Sequence, residues 1–527
     1  MRNLFEYIKG SRKRLILVLF IVSLLVRMLI LIPVNGGDTR IKFDERSYYF
    51  RANSFHSIIK DLINLDSPKP KDLRRAYGAG AWPPFHPIIL AVGFLFMGKS
   101  IVAARITVVV ISALSTILIF LVTDKIATKK TALIASFVYI FYPGFIAFSH
   151  YLWAETTFIF LLLLGIYLTL LITETDIYKR KVLYSFSIGV ILGLLVLSRA
   201  SGIVFLIVIP LWIVFSFKKM KERIIIFLII IISFSVVVLP WEYVLISKQN
   251  KFVLFASQST RGLYLGNNKW VRDGFSYEYV KPHPQIGSSL REYAKEHNIP
   301  IEKAARELAM KEITSHFGKF MKRSFDRFSL LWTFNFFPIR HITHVVYPPV
   351  SSGLLLFILA VFIVSHLLLV VFTVIGFVVK KIQLKNKILI FMLLLAGIAP
   401  YLLSISHSRY NLPQLAFLVP LAGCGIANYR PRKIWHNLII FFTIFCISGI
   451  YVYSYNNFIF KILRPSSYYM EVINPVDKIF KTESKYGDVF QIKQIDTSSN
   501  DILIIRILNK KGYSFYREKK RLKKRIV

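Results

Sequence analysis

The apolar run "RLILVLFIVSLLVRMLILIPV" at residues 14–34 decides the class of this protein. Its length matches the roughly 20 apolar residues that a helix needs to cross a bilayer. It lacks the small-residue cleavage site of a signal peptide, so we expect a retained membrane span. Further runs of similar length bring the total to about eleven transmembrane helices and predict an all-α polytopic membrane protein. They lie at residues 100–123, 131–150, 156–173, 182–198, 202–217, 223–241, 352–379, 387–405, 411–427 and 435–456.

Composition supports this class and argues against several others. Of the 527 residues, 55% are apolar, while the formal net charge is +40. A basic chain could bind nucleic acid, but Lys and Arg occur here in short clusters between apolar runs and not along one polar face. The two cysteines, Cys424 and Cys446, lie inside apolar runs and predict neither a disulfide framework nor a metal site. No nucleic-acid partner is therefore expected.

The basic clusters predict the orientation of the chain. One precedes the first span and others occupy every second connection after it, so the positive-inside rule puts these clusters and the N-terminus in the cytoplasm. The loops 35–99 and 242–351 and the segment 457–527 are then extracytoplasmic. The apolar stretch 85–98 is too short to span a bilayer, and we expect it to lie along the outer face. We divide the chain into a transmembrane domain, 1–456, and a small basic C-terminal segment with some strand.

The long loop 242–351 contains helical patterning over residues 289–330. Ser289 and Glu292 have the spacing of a capping box, which predicts a helix that begins at Ser289. The apolar residues that follow recur at helical spacing. This pattern is typical of juxtamembrane helices on the outer leaflet and equally of a small soluble helical subdomain, and both interpretations stay open.

Two adjacent acids, Asp44 and Glu45, follow the first span in "IKFDERSYYF" at residues 41–50. Adjacent residues do not share a helix face, so one carboxylate can contact a reacting hydroxyl while the other holds a substrate or a cation. This pair is the candidate catalytic site. The alternative is a pair of solvated loop charges that pair with Arg46 or Arg51.

Glu155 and His86 are the next candidate substrate-binding residues. Glu155 lies between two apolar spans, where an acid costs free energy unless it is paired or used. The alternative is a helix N-terminal acid that the helix dipole favours. His86 follows Pro83 and Pro84, which forbid helix before it, and we interpret it as a polar lining residue because a lone histidine is a weak metal signal. No glycine-rich phosphate loop is found, so neither ATP nor a nucleotide sugar is expected.

Two arginines at the outer ends of predicted spans are candidate phosphate ligands. Arg199 and Arg409 each interrupt apolar sequence, and a planar guanidinium matches a phosphate with a fork of donors. His407 and Tyr410 flank Arg409 and are candidate substrate contacts. The alternative for each arginine is snorkelling toward the lipid headgroups.

The order of these motifs resembles the GT-C membrane glycosyltransferases. The pair at 44–45 is followed by "PPFHP" at 83–87, "SRASG" at 198–202 and "HSRYNLPQLAFL" at 407–418. The nearest group is the bacterial branch of the protein mannosyltransferase and aminoarabinose transferase superfamily. The resemblance runs from the first span to about residue 427.

This resemblance implies a GT-C type bundle and a specific reaction. A hexosyl or pentosyl group would pass, with inversion, from a polyprenyl-phosphate donor to a lipid, glycan or protein acceptor. Asp44, with Glu45 beside it, matches the position of the catalytic base in the family. Arg199 and Arg409 are the candidate cations for the departing phosphate. We further expect substrate contacts from Glu155, His86, Tyr410 and His407. No cofactor is certain, and a divalent cation is compatible with the acids.

The resemblance also implies a location, and it leaves rival functions open. Abundant Lys and Ile fit an AT-rich bacterial genome, so we expect a multi-pass protein of the bacterial plasma membrane, in contact with its lipids, with the active site on the extracytoplasmic face. A secondary transporter would place ionisable residues near the bilayer midplane in two related halves. An oligosaccharide ligase or polymerase on a related scaffold stays an alternative.

Overall fold

The computed structural model describes residues 11–35, 41, 44–77, 82–249, 258–271, 285–343 and 350–454, together with three strands between residues 480 and 508. Contacts within the chain divide it into two units. One comprises Met1–Pro338 and Ser352–Ile459, and the other comprises Ile339–Ser351 and Phe460–Val527.

Helices dominate the described residues. The first half contains α1 Arg12–Asn35, α2 Asp44–Ile63, α3 Pro70–Ala76, α4 Phe85–Met97, α5 Ile101–Ile126, α6 Lys129–Phe141, α7 Pro143–Phe148, α8 Glu155–Glu174, α9 Tyr178–Ser198, α10 Phe205–Ser216 and α11 Met220–Gln249. The second half contains α12 Gln258–Gly266, α13 Gln285–Glu296, α14 Ile301–Ser315, α15 Phe317–Leu331, α16 Phe337–Thr343, α17 Ser352–Val378, α18 Leu384–Leu403, α19 Leu412–Asn428 and α20 Ile434–Ser454. Short 3₁₀ helices, Ala200–Val204 and Ser408–Asn411, precede α10 and α19.

Nine helices within the described ranges are long and apolar enough to cross a membrane, by length and composition. They are α1, α5, α8, α9, α11, α17, α18, α20 and α19 taken together with the 3₁₀ turn before it, Ser408–Asn428. The predicted all-α polytopic membrane class is therefore confirmed.

Two of the predicted spans are shorter than expected. The span predicted at 131–150 is divided between α6 and α7, because Tyr142 is extended (φ −67°, ψ 120°) and Pro143 has no N–H with which to continue the helix. The span predicted at 202–217 is a 3₁₀ turn followed by the twelve residues of α10. The short helix expected at 85–98 is α4, which begins directly after the two prolines.

Small residues let the long helices approach closely. A Cβ added to Gly189 of α9 would lie 2.3 Å from the Ile230 carbonyl oxygen of α11, and one added to Gly376 of α17 would lie 1.9 Å from the Leu421 carbonyl oxygen of α19. Such backbone contact is the usual way in which membrane helices associate, since lipid is as apolar as leucine.

The patterned loop is a small helical subdomain. Its helices α12, α13 and α14 share an apolar core that includes Tyr264, Leu290 and Ala305, so the subdomain interpretation is supported. The predicted capping box at Ser289 is wrong. The helix begins at Gln285, and the Ser289 hydroxyl donates a hydrogen bond to the Gln285 carbonyl at 2.7 Å, inside the helix.

The second unit contains an antiparallel three-stranded sheet. Its strands are β1 Phe480–Glu483, β2 Val489–Lys493 and β3 Ile504–Leu508, in that order across the sheet. Phe480 pairs with Ile492, and Val489 pairs with Leu508. Strand was expected in this segment from its alternating apolar residues.

Candidate functional site

A cavity of about 360 Å³ lies where several helix ends meet. We call it the central cavity. Its polar wall comes from the start of α2, the start of α8, the turn after α9 and the 3₁₀ turn before α19, and its apolar wall comes from α12 and the end of α18. The residues used below are Asp44, Tyr48, Trp153, Glu155, Arg199, Gly262, Leu263, Tyr401, Leu403, Arg409 and Tyr410.

Four charged side chains form a chain of ion pairs on the polar wall. Arg409 Nη2 lies 3.0 Å from Asp44 Oδ2, and Arg409 Nε lies 3.6 Å from Glu155 Oε1. Arg199 forms a further ion pair with Glu155. The Glu155 side chain is 3% exposed and that of Asp44 is 26% exposed. Glu155 therefore anchors the two arginines, while Asp44 is the carboxylate that the cavity can reach.

Glu155 is stabilised where it is buried. It lies in the first turn of α8, where the helix dipole favours an anion, and two guanidinium groups surround it. A buried carboxylate without such partners would be strongly destabilising. Burial is the largest single effect on the pKa of Arg199 and lowers it, but Glu155, Tyr401 and Tyr410 together raise it by more, so the net pKa lies above its ordinary value. Arg199 is therefore a permanent cation.

Aromatic rings orient the two guanidinium groups. The Arg199 guanidinium lies 4.9 Å from the centre of the Tyr410 ring, and that of Arg409 lies 4.4 Å from the centre of the Trp153 ring. Tyr410 in turn stacks on Tyr401 at 4.7 Å. Cation–π contacts of this kind fix a guanidinium plane without neutralising its charge. Sequence reasoning missed Trp153 and Tyr401; the position of Trp153 two residues before Glu155 was the available signal.

Glu45 and His86 are not among the residues that line the central cavity. Glu45 is 2% exposed, and its Oε1 accepts a hydrogen bond from the Leu152 N–H at 3.0 Å. His86 Nε2 lies 3.2 Å from the Leu152 carbonyl oxygen, and its Nδ1 lies 2.8 Å from the Thr157 hydroxyl. Both residues therefore hold the backbone of Leu152, Glu45 through its N–H and His86 through its carbonyl, just before Trp153 and Glu155.

The contacts of His86 define its protonation. A carbonyl can only accept, so Nε2 must carry the proton that reaches Leu152, and Nδ1 then accepts from Thr157. Burial lowers the pKa of His86 to about 4, which keeps the ring neutral at physiological pH.

Arg46 and Arg51, the alternative partners of Asp44 and Glu45, make other contacts. Arg51 donates to the Ala76 carbonyl at 3.0 Å and to the Trp82 carbonyl at 2.7 Å. Arg46 is exposed and lies over the Phe50 ring. The alternative, in which Asp44 and Glu45 are solvated and pair with a neighbouring arginine, is therefore wrong.

His407 also lies behind the cavity wall. Its ring is fully buried and stacks on Phe337 at 3.9 Å, and its Nδ1 accepts from the Arg409 N–H at 3.4 Å. The structure thus brings Asp44, Glu155, Arg199, Arg409 and Tyr410 together at one cavity. Glu45, His86 and His407 support the walls.

Tyr48 is a further lining residue that the sequence did not single out. It lies one turn after Asp44 on α2 and packs edge-on against His86 at 5.0 Å. Burial raises the pKa of Tyr48, with the charges of Glu155 and Asp44 adding to the effect. Its phenol therefore stays protonated and keeps a donor at the cavity.

Within the described ranges, no group of three or more His, Cys, Asp or Glu side chains is placed to hold a metal ion. The cationic groups beside the cavity carboxylates are the two arginines.

The chain was also compared with known protein families, sequences and structures. Residues 81–241 match the family model described as Dolichyl-phosphate-mannose-protein mannosyltransferase. Among curated protein sequences, none matches the chain. Of the solved structures, ArnT from Cupriavidus metallidurans bound to undecaprenyl phosphate is 13% identical with a TM-score of 0.47, over 81% of this chain and 63% of that one.

A second similar structure is archaeal oligosaccharyltransferase AglB from Archaeoglobus fulgidus, in complex with an inhibitory peptide and a dolichol-phosphate. It is 13% identical with a TM-score of 0.44, over 84% of this chain and 55% of that one. The chain thus spans less than two thirds of either protein. The family match covers "PPFHP", Glu155 and Arg199, and it confirms over residues 81–241 the predicted resemblance to the protein mannosyltransferase branch.

Proposed function

We propose that this protein is an inverting glycosyltransferase that moves a sugar from a polyprenyl-phosphate donor to an acceptor hydroxyl. The observation that carries the proposal is the central cavity itself, where a reachable carboxylate, Asp44, lies beside two guanidinium groups that a buried Glu155 holds in place. A carboxylate can take a proton, and two fixed cations can stabilise a departing phosphate.

The reaction assigns each group one task. The acceptor oxygen attacks the anomeric carbon while its proton passes to Asp44. The bond between that carbon and the phosphate oxygen breaks on the opposite face, and the phosphate leaves with the electron pair. Arg199 and Arg409 receive the negative charge that develops on it.

Arg409 links the two tasks of the site. Its Nη2 lies 3.0 Å from Asp44 Oδ2. A donor phosphate competes with Asp44 for this guanidinium, so donor binding weakens the ion pair and lets the Asp44 carboxylate take the acceptor proton. Glu155 keeps hold of Arg409 from its other side during this exchange.

The apolar wall suits a lipid-linked donor. Leu263 of α12, Leu403 at the end of α18 and Ile405 just after it line the apolar wall of the central cavity. The cavity also lies at the ends of membrane-spanning helices, α9 and α18 among them. We infer that the prenyl chain leaves the cavity along this wall, on the extracytoplasmic side that the basic clusters predict.

The test is the lipid-linked sugar pool of cells that lack this protein. We expect one polyprenyl-phosphate sugar to accumulate, and wild type but not Asp44→Asn to clear it, because an amide cannot take the proton. Asp124→Asn is the matched control, since Asp124 also pairs with an arginine, Arg12, at 2.9 Å but does not line the cavity. Normal turnover by Asp44→Asn would refute the proposal, and a product carrying a whole glycan would indicate a ligase.

A further inference from the structure

A second cavity, of about 400 Å³, opens in the helical subdomain. We call it the loop cavity. Its walls are one face of α13, one face of α14 and the turn that follows α12. The lining residues used here are Tyr264, Asn268, Lys269, Trp270, Glu292, Tyr293, Glu296 and Glu312.

The two helical walls are polar where a helix pair is normally apolar. Residues 289, 292, 293 and 296 follow the spacing of one helix face, and residues 308, 311, 312 and 315 repeat it on α14. Beneath them, the core of the subdomain is built largely from alanines. The polar side chains of these two faces line the cavity.

The end wall is rigid and carries a fixed indole. The Trp270 backbone N–H donates to Asn268 Oδ1 at 3.0 Å, and its indole N–H donates to Gln285 Oε1 at 3.0 Å. Arg323 is 5% exposed and donates to the carbonyls of Asn268 and Val271. It also binds Glu312 at 3.2 Å, so the wall is tied to α14.

We propose that the loop cavity binds a saccharide. Sugars have apolar C–H faces and a rim of hydroxyl groups, which match aromatic faces beside carboxylate acceptors. Trp270 supplies such a face, Tyr293, whose ring stacks on His297 at 4.0 Å, supplies a second aromatic surface, and Glu292 and Glu296, both exposed on one turn of α13, supply acceptors for adjacent hydroxyls. An exposed lysine, Lys269, lies over the indole at 4.7 Å and swings aside when a ring stacks there.

The position of the loop cavity assigns its role. Leu263 of α12 lines the central cavity, and the next residue, Tyr264, lines the loop cavity. The two cavities therefore lie on different faces of one helix. Asn267, directly after that helix, donates to the Leu403 carbonyl at 2.7 Å, and Arg327 donates both to the Leu402 carbonyl at 2.8 Å and to Asn267 Oδ1 at 3.1 Å, so the end of the helix is fixed against α18. Resting on the proposed function, we infer that the bound saccharide belongs to the acceptor.

Binding to purified protein in lipid nanodiscs tests the saccharide site without any turnover. The probes are chitotetraose and its de-N-acetylated form, followed by saturation-transfer NMR. We expect wild type to bind at least one of them with a millimolar Kd. Trp270→Ala and the double change Glu292→Gln with Glu296→Gln should each weaken binding at least tenfold. Trp435→Ala, which removes an exposed tryptophan of α20, should not.

Several results would overturn the proposal. The first is that neither saccharide binds the wild-type protein. The second is that the cavity variants bind as well as wild type at an equal melting temperature. The third is that pentalysine binds and neither saccharide does, which would make the loop cavity a site for a cationic ligand. Asp44→Asn separates this proposal from the proposed function, because it should keep full saccharide binding. If that variant turns over normally, the proposed function fails and the saccharide can no longer be assigned to the acceptor. Loss of saccharide binding by Trp270→Ala would still establish the loop cavity as a saccharide site.

Discussion

Replacing Glu45 by alanine or by glutamine separates a carboxylate that reacts from one that positions. Glu45 accepts the Leu152 N–H at 3.0 Å and is 2% exposed. The peptide it holds leads directly into Trp153 and Glu155, on which Arg409 is oriented. The structure therefore makes Glu45 a positioning residue, one residue away from the proposed base.

The size of the effect follows from the hydrogen bond. Alanine leaves a buried N–H without its acceptor, which costs about 1–3 kcal/mol. If the segment from Leu152 to Glu155 moves to relieve that cost, the rate of transfer falls roughly 5- to 150-fold, because about 1.4 kcal/mol corresponds to a factor of ten. Glutamine keeps an oxygen at the same place and loses only the charge of the acceptor, about 1 kcal/mol, or a fivefold effect.

The assay is transfer by purified protein in nanodiscs, with the melting temperature measured in parallel. We expect Glu45→Gln to lose no more than about fivefold of the activity and Glu45→Ala to lose more than that, up to about 150-fold. A Glu45→Gln variant as inactive as Asp44→Asn would refute the reasoning and make Glu45 a chemically active acid. Full activity of Glu45→Ala would show that the contact with Leu152 positions nothing.

Two further perturbations test the cavity wall and the buried histidine. A Cβ at Gly262 meets no atom within 4 Å, so Gly262→Leu should fill the central cavity, keep or raise the melting temperature, and lower transfer at least tenfold. The control is Gly353→Leu on α17, which is equally unobstructed and should leave transfer unchanged. Equal transfer by the two variants would mean that the central cavity is not the site. The pKa of His86 is about 4 in the folded protein and 6.5 ordinarily, so between these pH values the unfolded chain binds more protons than the folded one. The free energy of unfolding therefore decreases as the pH falls below 6.5, by about 2 kcal/mol at pH 5. Melting curves of wild type and His86→Gln from pH 7 to pH 5 check this, and parallel losses would place the proton uptake elsewhere.

Local properties of the sequence predicted the class and many of the elements. The length of an apolar run is a property of neighbouring residues, so the run at 14–34 predicted α1, and Pro83 and Pro84 predicted where α4 begins. Local signals also misled. Ser289 has the spacing of a helix start but lies inside α13, because packing of the subdomain core extends the helix to Gln285.

The roles of the charged residues depended on packing between distant segments. Asp44 and Arg409 are 365 positions apart in the chain and 3.0 Å apart in space. Glu45, adjacent to Asp44, projects from α2 in a different direction and holds Leu152 instead. Charges and hydrogen bonds act over a few ångströms, so their partners are selected by whichever helix ends meet. Sequence periodicity describes the helices, and only the folded bundle places the base, the cations and the positioning groups.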